Sequence, residues 1–423
     1  MPAYAVSPVE SVSETLDRWR AGERVEVLGS EFLEVLASAP DPRDPRGCRY
    51  PLAGLLAIAV LATAAGMRGY AGFATWAATA PPEVLARLGI RFRRPSEKTL
   101  RSVLSRLDPA DLDRRLGAYF TTLAAAQAVG EGGLLAVAMD GKTLRAARRM
   151  GAVAAHLVAV FAHRTRLVLG QLAVAEKSNE IPCLRELLGS FRNVRLLVTI
   201  DAMHTQTTTA RLICSTLKSH YVMVVKQNQP KLLARIQALP WSQVPVVHTE
   251  PPQRSHGRTE TRTLKVLTAV RGVGFPYARQ VIQVIRERVS GSGEHSREVV
   301  YALCSLPFEH ARPPVIAAWL RDHWGIENAV HWVRDVTFDE DRCTVRTGTA
   351  PQVLATLRNT ALNLHRLRGT DNIAEACRLT AFSPDRGLEL LTQHQISRSQ
   401  ACLSTTPDPW QLDALICGFL VRK

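Results

Sequence analysis

Three acidic residues stand where chemistry is easiest to derive. Asp140 closes the apolar run of LLAVAMDGKTLR (residues 134–145), and Asp201 closes that of RLLVTIDAMHTQ (195–206). Glu327 lies in WLRDHWGIENAVHWVRDVTFDEDRCTVR (319–346). Carboxylates are natural ligands of Mg2+, a hard cation that prefers oxygen and keeps several waters, and Mn2+ is expected to substitute. Two such ions about 4 Å apart bind both the attacking and the leaving oxygen of a phosphodiester. Three anions brought together without metal repel one another, so they bind metal tightly or carry raised pKa values. The expectation is that Asp140, Asp201 and Glu327 meet and hold divalent cations for chemistry on DNA. One aspartate at a strand end is more often a cap or turn residue. The case rests on two of them, on strands in the right order, with an acidic helix beside them.

That helix offers a rival. His323, Glu327, His331 and Asp335 follow one another at i, i+4 and share a face. Two histidines on one face suit Zn2+, but eight residues of helix separate these two by about 12 Å, too far for one tetrahedral ion. Glu327 is therefore the expected metal ligand, with His323 and His331 touching phosphate or orienting the acid. A polar face that merely packs is the bland reading of both histidines. Trp324 and Trp332 read as core, with base stacking as the alternative.

The elements that must position these residues follow from patterning. An apolar run bounded by polar residues is a strand buried on both faces. An acid at its carboxyl end sits at the sheet edge where open α/β folds bind ligands. Strands are expected at 134–140, 154–162 and 167–174, the last two joined by the turn HRTR, followed by a helix near 181–188. Strand 196–200, helix 205–218 and strand 221–225 come next. Three antiparallel strands and then alternating helix and strand is the order of an RNase H-like fold, an analogy of pattern. Residues 227–312 break this rhythm with Pro-rich turns and strand-like pieces at 263–268, 280–286 and 299–303, read as a β-rich insertion. Helix resumes over 314–334, 353–368 and 372–380.

Ahead of the first strand every element reads as helix: 24–38, 52–67, 70–79, 82–88, 96–107 and 111–128. In SEKTLRSVLSRL, Ser96 caps and Leu100, Val103, Leu104 and Leu107 repeat at helical spacing. Its other face carries Lys98, Arg101 and Arg106. A helix-turn-helix contacting DNA through Arg101 and an ordinary surface helix both stay open. The fold class is thus α/β: an RNase H-like catalytic core with a β-rich insertion, preceded by an all-helical N-terminal domain. The expected division is 1–130 helical and DNA-end binding, 131–226 core, 227–312 insertion, 313–392 core with the Glu helix, and 393–423 an irregular tail.

Composition agrees with a polyanionic partner. The 423 residues carry a net charge of +15, with 46% hydrophobic and 22% charged residues. Basic residues crowd each acid. Lys142, Arg145, Lys177, Lys226 and Arg334, with His323, His331 and the distant Arg101, are the expected DNA contacts, and such binding is salt-sensitive. The eight cysteines form no CxxC pair, which argues against a cysteine zinc site. Met1–Arg20 shows no secretory signal and scattered thiols suit a reducing compartment, so a cytoplasmic, nucleoid-associated protein is expected. The uncharged stretch 51–67 is short and Ala-rich for a membrane span and reads as a buried helix.

Several blocks together resemble a known family. MDGKTLR, KSNEIP, TIDAMHTQ, YVMVVKQNQP, HGRTETR and HWGIENAVHWVRDVTFDEDRCTVR are similar to bacterial insertion-sequence transposases of the ISAs type and to H-repeat-associated proteins. DPRDPRGCRYPLAGLLAIAVLA resembles the helical region this family carries ahead of its catalytic domain. The resemblance covers roughly Asp41 to Leu390 and implies a DDE catalytic core, with Asp140, Asp201 and Glu327 in the three acidic positions. It implies cleavage at element ends and joining of the freed 3′-OH to target DNA, with water and then a DNA hydroxyl as nucleophile. The partners would be duplex DNA, as terminal inverted repeats and target, and a second copy in a homodimer or higher assembly. Related DDE families place Tyr, Arg and Lys around the Glu; here those places hold Leu320, His323 and Arg334. The tail from about Gln393 departs from the family. A DNA-binding remnant of such an element and a metal-dependent nuclease are the rival readings.

Overall fold

The computed structural model describes residues 30–46, 48–128, 133–144, 156–174, 180–255, 257–269 and 271–392. Among the described residues six helices precede the first strand: α1 (Glu31–Ala37), α2 (Leu52–Ala64), α3 (Gly69–Thr79), α4 (Pro82–Arg87), α5 (Glu97–Leu104) and α6 (Pro109–Ala128). The first part of the expected helix 24–38 lies outside the described residues. In α5 the Thr99 N–H donates to Ser96 Oγ at 3.3 Å, while Leu100, Val103 and Leu104 are buried. Helix α2 is apolar all round because almost every residue in it is buried by neighbouring protein. Among the described residues no single helix is long and apolar enough to cross a membrane.

The strands β1 (Leu135–Thr143), β2 (His156–Ala162) and β3 (Val168–Val174) form an antiparallel set. After α7 (Glu180–Gly189), strand β4 (Leu196–Ile200) pairs parallel with β1. Helix α8 (Thr207–Arg211) runs on as a π-helical stretch, Leu212–Thr216, and leads to β5 (His220–Val225), parallel to β4. The short helix α9 (Pro230–Gln237) was not expected from the sequence.

Strands β6 (His248–Thr249), β7 (Gln253–Ser255), β8 (Arg258–Thr268), β9 (Gln280–Ser290) and β10 (His295–Cys304) follow. Residues 227–312 are thus β-rich, and their strands run longer than patterning suggested. They extend the main sheet, because β10 zips antiparallel onto β5 from Tyr301↔Val225 to Cys304↔Val222. One ten-stranded mixed sheet results, in the order β3-β2-β1-β4-β5-β10-β9-β8-β6, with β7 on β8. It is a mixed α/β architecture.

Helix α10 (Pro313–His323) covers one face of the sheet, where Ile316 and Ala317 pack with Leu197, Val222, Ile282 and Ala302. The chain then makes a π-helical turn, Glu327–His331, before α11 (Trp332–Val336). Helices α12 (Ala350–Leu367), α13 (Ile373–Phe382) and α14 (Pro384–Thr392) complete the described chain. Phe32, Leu61, Phe120, Val160, Leu362 and Leu391 belong to one continuous apolar cluster, so the early helices share a core with the sheet and the late helices.

Two expectations about elements need correction. Strand β1 does not stop at Asp140 but continues to Thr143, because β2 still lies alongside it while β4 ends at Ile200. The helix expected over 314–334 is not continuous, since the π-turn interrupts it.

Candidate active site

The register Met139↔Ile200 makes Asp140 and Asp201 the next residues on adjacent parallel strands, at the edge where β4 ends. Asp140 sits on β1, still paired with β2. Asp201 follows β4 and opens the short 3-10 turn Ala202–His204. Glu327 and His331 come to the same edge from the π-turn. An i, i+4 series drifts about 40° per step around a straight α-helix, so His323 and Asp335 would end about 120° apart. A π-turn winds the chain more widely and offsets that drift. The effect is visible in what these four residues meet: Thr199, Asp140 and Lys142, all on β1 or β4.

His331 Nδ1 lies 3.3 Å from Glu327 Oε2 and 3.5 Å from Asp140 Oδ2. Donor atoms of Asp140, Glu327 and His331 all fall within 4.8 Å of one another. Asp140 is largely buried, His331 is buried, and the Glu327 side chain is 53% exposed, so the group opens to solvent on one side. Burial pushes the Asp140 carboxyl up to about 6; His331 opposes the shift and Glu327 adds to it. Glu327 moves the other way, held low mainly by its hydrogen bond with His331.

Asp201 is not part of that tight group; its Oδ1 pairs with Lys226 Nζ at 3.1 Å. Burial pushes its carboxyl up, but the Ala202 N–H, Lys226 and His323 outweigh that and leave it below its ordinary value. His323 hydrogen-bonds through Nδ1 to Thr199 Oγ1 at 3.2 Å, and burial lowers its pKa. Thr199 also meets His163 Nε2 at 3.0 Å; burial holds that imidazole at about 3, so it stays neutral. Sequence reasoning missed Thr199 and His163. The available signal was a hydroxyl inside the apolar strand LLVTI, which must find a partner when buried.

Several expected DNA contacts are placed elsewhere. Arg334 is fully buried and donates to both Glu340 oxygens at 2.9 Å, so its expected role on phosphate is overturned. Lys142 is buried and spends its charge on Asp335 at 2.6 Å. His323 and His331 face Thr199 and the acids from buried positions. Arg101 is exposed, pairs with Glu97 and lies 5.1 Å over the Tyr70 ring. Lys226 remains half-exposed beside Asp201. Arg145 and Lys177 lie outside the described residues. Trp324 and Trp332 are not core: they are 50% and 58% exposed, because the face of the turn opposite His323 and His331 looks into solvent.

The donor chemistry fits a divalent metal. Two carboxylate oxygens and an imidazole nitrogen converge, and the acids relieve their mutual repulsion through the raised pKa of Asp140. A mixed α/β sheet with such a donor set at one edge could hold a divalent cation there. Comparison with known proteins gives the family: residues 131–364 match the Transposase DDE domain and residues 33–120 match the DDE_Tnp_1-associated domain. The chain belongs to the DDE transposase family, enzymes acting on DNA whose chemistry implies a divalent metal. It is 29% identical over 288 residues to "Putative transposase YncI" of Escherichia coli O157:H7, covering 64% of this chain and 71% of that protein. It is 30% identical to "H repeat-associated putative transposase YhhI" of Escherichia coli strain K12, over 54% of this chain and 63% of that one. A piggyBac transposase synaptic complex with hairpin DNA aligns loosely, with a TM-score of 0.38 and 11% identity over 88% of this chain and 81% of that one.

Proposed function

We propose that this chain cleaves DNA at the ends of an insertion element and joins the freed 3′-OH to target DNA. In this reading Asp140, Asp201 and Glu327 are the catalytic, metal-holding residues, and Mg2+ is the ion, with Mn2+ able to substitute. The observation that carries it is the meeting of Asp140, Glu327 and His331 at one sheet edge, from segments far apart in the chain. The run β3-β2-β1-β4-β5, antiparallel then parallel, supports an RNase H-like core over 131–226 and 313–392. Residues 227–312 would be its insertion and 1–130 its helical, end-binding part.

A bound divalent cation supplies the positive charge that polarises a phosphodiester and lowers the pKa of an attacking hydroxyl. The chain's own residues prepare that site. Asp140 and Glu327 present oxygen donors, and His331 Nδ1 sits between them and fixes their spacing. Lys226 keeps Asp201 ionised and sets a positive charge beside the path of a phosphate backbone. His323 is anchored by Thr199 and lies close enough to Asp201 and Glu327 to feel both. Trp324 and Trp332 stand on the solvent side, where an unstacked base would meet them. Action as a homodimer or higher assembly on DNA, in the cytoplasm, belongs to the same proposal.

The test is strand cleavage of a duplex carrying the element's terminal inverted repeat, with Mg2+ or Mn2+ and with chelator. Asp140→Ala, Asp201→Ala and Glu327→Ala should each remove cleavage while end binding in a gel shift persists. Nicking at the wild-type rate by any of them rejects that residue. Wild-type binding without metal-dependent nicking identifies a DNA-binding remnant, and preference for an RNA–DNA hybrid identifies a nuclease.

A further inference from the structure

The π-turn that carries Glu327 and His331 requires something to hold it. Within it the Trp332 N–H donates to the Glu327 carbonyl, one residue further on than in an α-helix. Such turns are rare, appear mostly as single insertions in helices and recur at functional sites. They persist where the surroundings over-determine them. Arg366, in the last turn of α12, reaches this one. Its guanidinium donates to the Ala329 carbonyl inside the turn and to the Arg166 carbonyl in the β2–β3 turn. The same guanidinium lies 5.6 Å from the centre of the Phe161 ring. Phe161 in turn packs under the start of the turn, where a Cβ on Gly325 would stand 3.3 Å from its Cε1.

This guanidinium meets two carbonyls and a ring face. A largely buried cation so placed is poor evidence of a stability role, since desolvation opposes it and the Asp371 carboxylate offsets only part of the cost. What the planar fork does well is span two carbonyls in fixed directions, which a lysine ammonium does less rigidly. Ala329 lies midway between Glu327 and His331, so fixing its carbonyl fixes the angle between the two donors. In an ordinary α-helix Glu327 would stand about 40° from His331 and about 80° from Asp335 around the axis, and the three would no longer face β1 together.

We propose that Arg366 is a positioning residue that locks the π-turn so that Glu327 and His331 face Asp140 together. This rests on the reading of Asp140, Glu327 and His331 as the metal-holding group. Residues that orient metal ligands typically govern affinity by about 10- to 100-fold.

The experiment titrates Mn2+ into the full chain without DNA and follows free Mn2+ by electron paramagnetic resonance. Wild type, Asp140→Ala, Arg366→Met, Arg366→Lys and Leu364→Ala are compared. Leu364 is buried on the same helix and is the control for general loosening. Arg366→Met should raise the Mn2+ Kd by about tenfold or more, with Arg366→Lys intermediate. Cleavage by Arg366→Met should return toward wild type at saturating Mn2+. Leu364→Ala should lower Tm and leave the Kd within about twofold. A Kd for Arg366→Met close to wild type, or an equal rise in Leu364→Ala, overturns the proposal. Should Arg366→Met not fold, an unchanged Kd in Arg366→Lys overturns it alone. If Asp140→Ala binds Mn2+ like wild type, the reading of the metal group fails and Arg366 loses its role with it. If Asp140→Ala loses Mn2+ and Arg366→Met keeps it, the positioning claim alone fails.

Discussion

Two charged clusters share the segment 327–340 and treat the same chemical group in opposite ways. At the sheet edge Asp140 and Glu327 crowd one imidazole, and Asp140 is driven up to about 6 by burial. A few residues on, Glu340 is more deeply buried, yet it is held at about 2. Burial pushes Glu340 up as well, but Arg334 and Arg358 clamp it at 2.9 and 2.7 Å and reverse the sign. That second cluster is closed. Arg334 also reaches Gln171 and Asn359, and Gln171 takes part in a network with Thr356 and Asp113. The first cluster is open, short of positive charge, and exposed on the Glu327 side. Buried charges with complete partners hold a fold together, whereas the open group of Asp140, Glu327 and His331 could hold a divalent cation.

The closed cluster should show the largest effect on stability. Arg334→Met leaves Glu340 with half its compensation and should cost about 3–5 kcal/mol in urea unfolding. A loss under about 1 kcal/mol would show that the two clusters do not differ in kind.

The next effect is one of pH. The folded pKa of Asp140 lies above its ordinary 3.8, so its contribution to stability is fully present below about pH 4. It is lost as pH rises through about 6. In EDTA, unfolding free energy should therefore fall between pH 4 and 7, with an Asp140 share on the order of 1–3 kcal/mol. Asp140→Asn should flatten that share; parallel profiles for the two proteins would remove the idea of a strained open cluster. Asp113, raised to about 7 by burial, adds a slope of the same sign that Asp140→Asn leaves intact. Glu340 behaves oppositely. Its contribution is present above about pH 4.5 and lost only as pH falls toward 2, so Glu340→Gln should remove its share of the acid limb and leave the slope between pH 4 and 7.

Smallest is the exposed pair at Asp201. Lys226→Ala should change stability by less than about 0.5 kcal/mol, since exposed ion pairs contribute little. It should reduce the salt slope of DNA binding by about 1 if Lys226 meets a phosphate. An unchanged slope in a filter-binding series would confine Lys226 to holding Asp201.

Much of this was legible in the chain. The strand LLVTI and its closing Asp201, the hairpin around HRTR, the cap at Ser96 and the helices flanking the sheet follow from period, capping and turn chemistry. Those signals are local, and each element carries its own. The π-turn was not legible, because Arg366 and Phe161 impose it from distant positions. Nor was the fate of Arg334, which looks from its neighbours like any basic residue beside an acid. Trp324 and Trp332 misled for a related reason: an aromatic on a helix reads as core unless the face it occupies is known.

By itself the sequence determined the strands that end near Asp140 and Asp201 and the family to which the blocks belong. These depend on residue type and short-range spacing, which folding does not alter. Only the tertiary structure decided which charges face one another, since partnership and desolvation are properties of surroundings drawn from remote segments. It put Asp140 with Glu327 and His331, gave Arg334 to Glu340, and made 227–312 part of the same sheet through the pairing of β10 with β5.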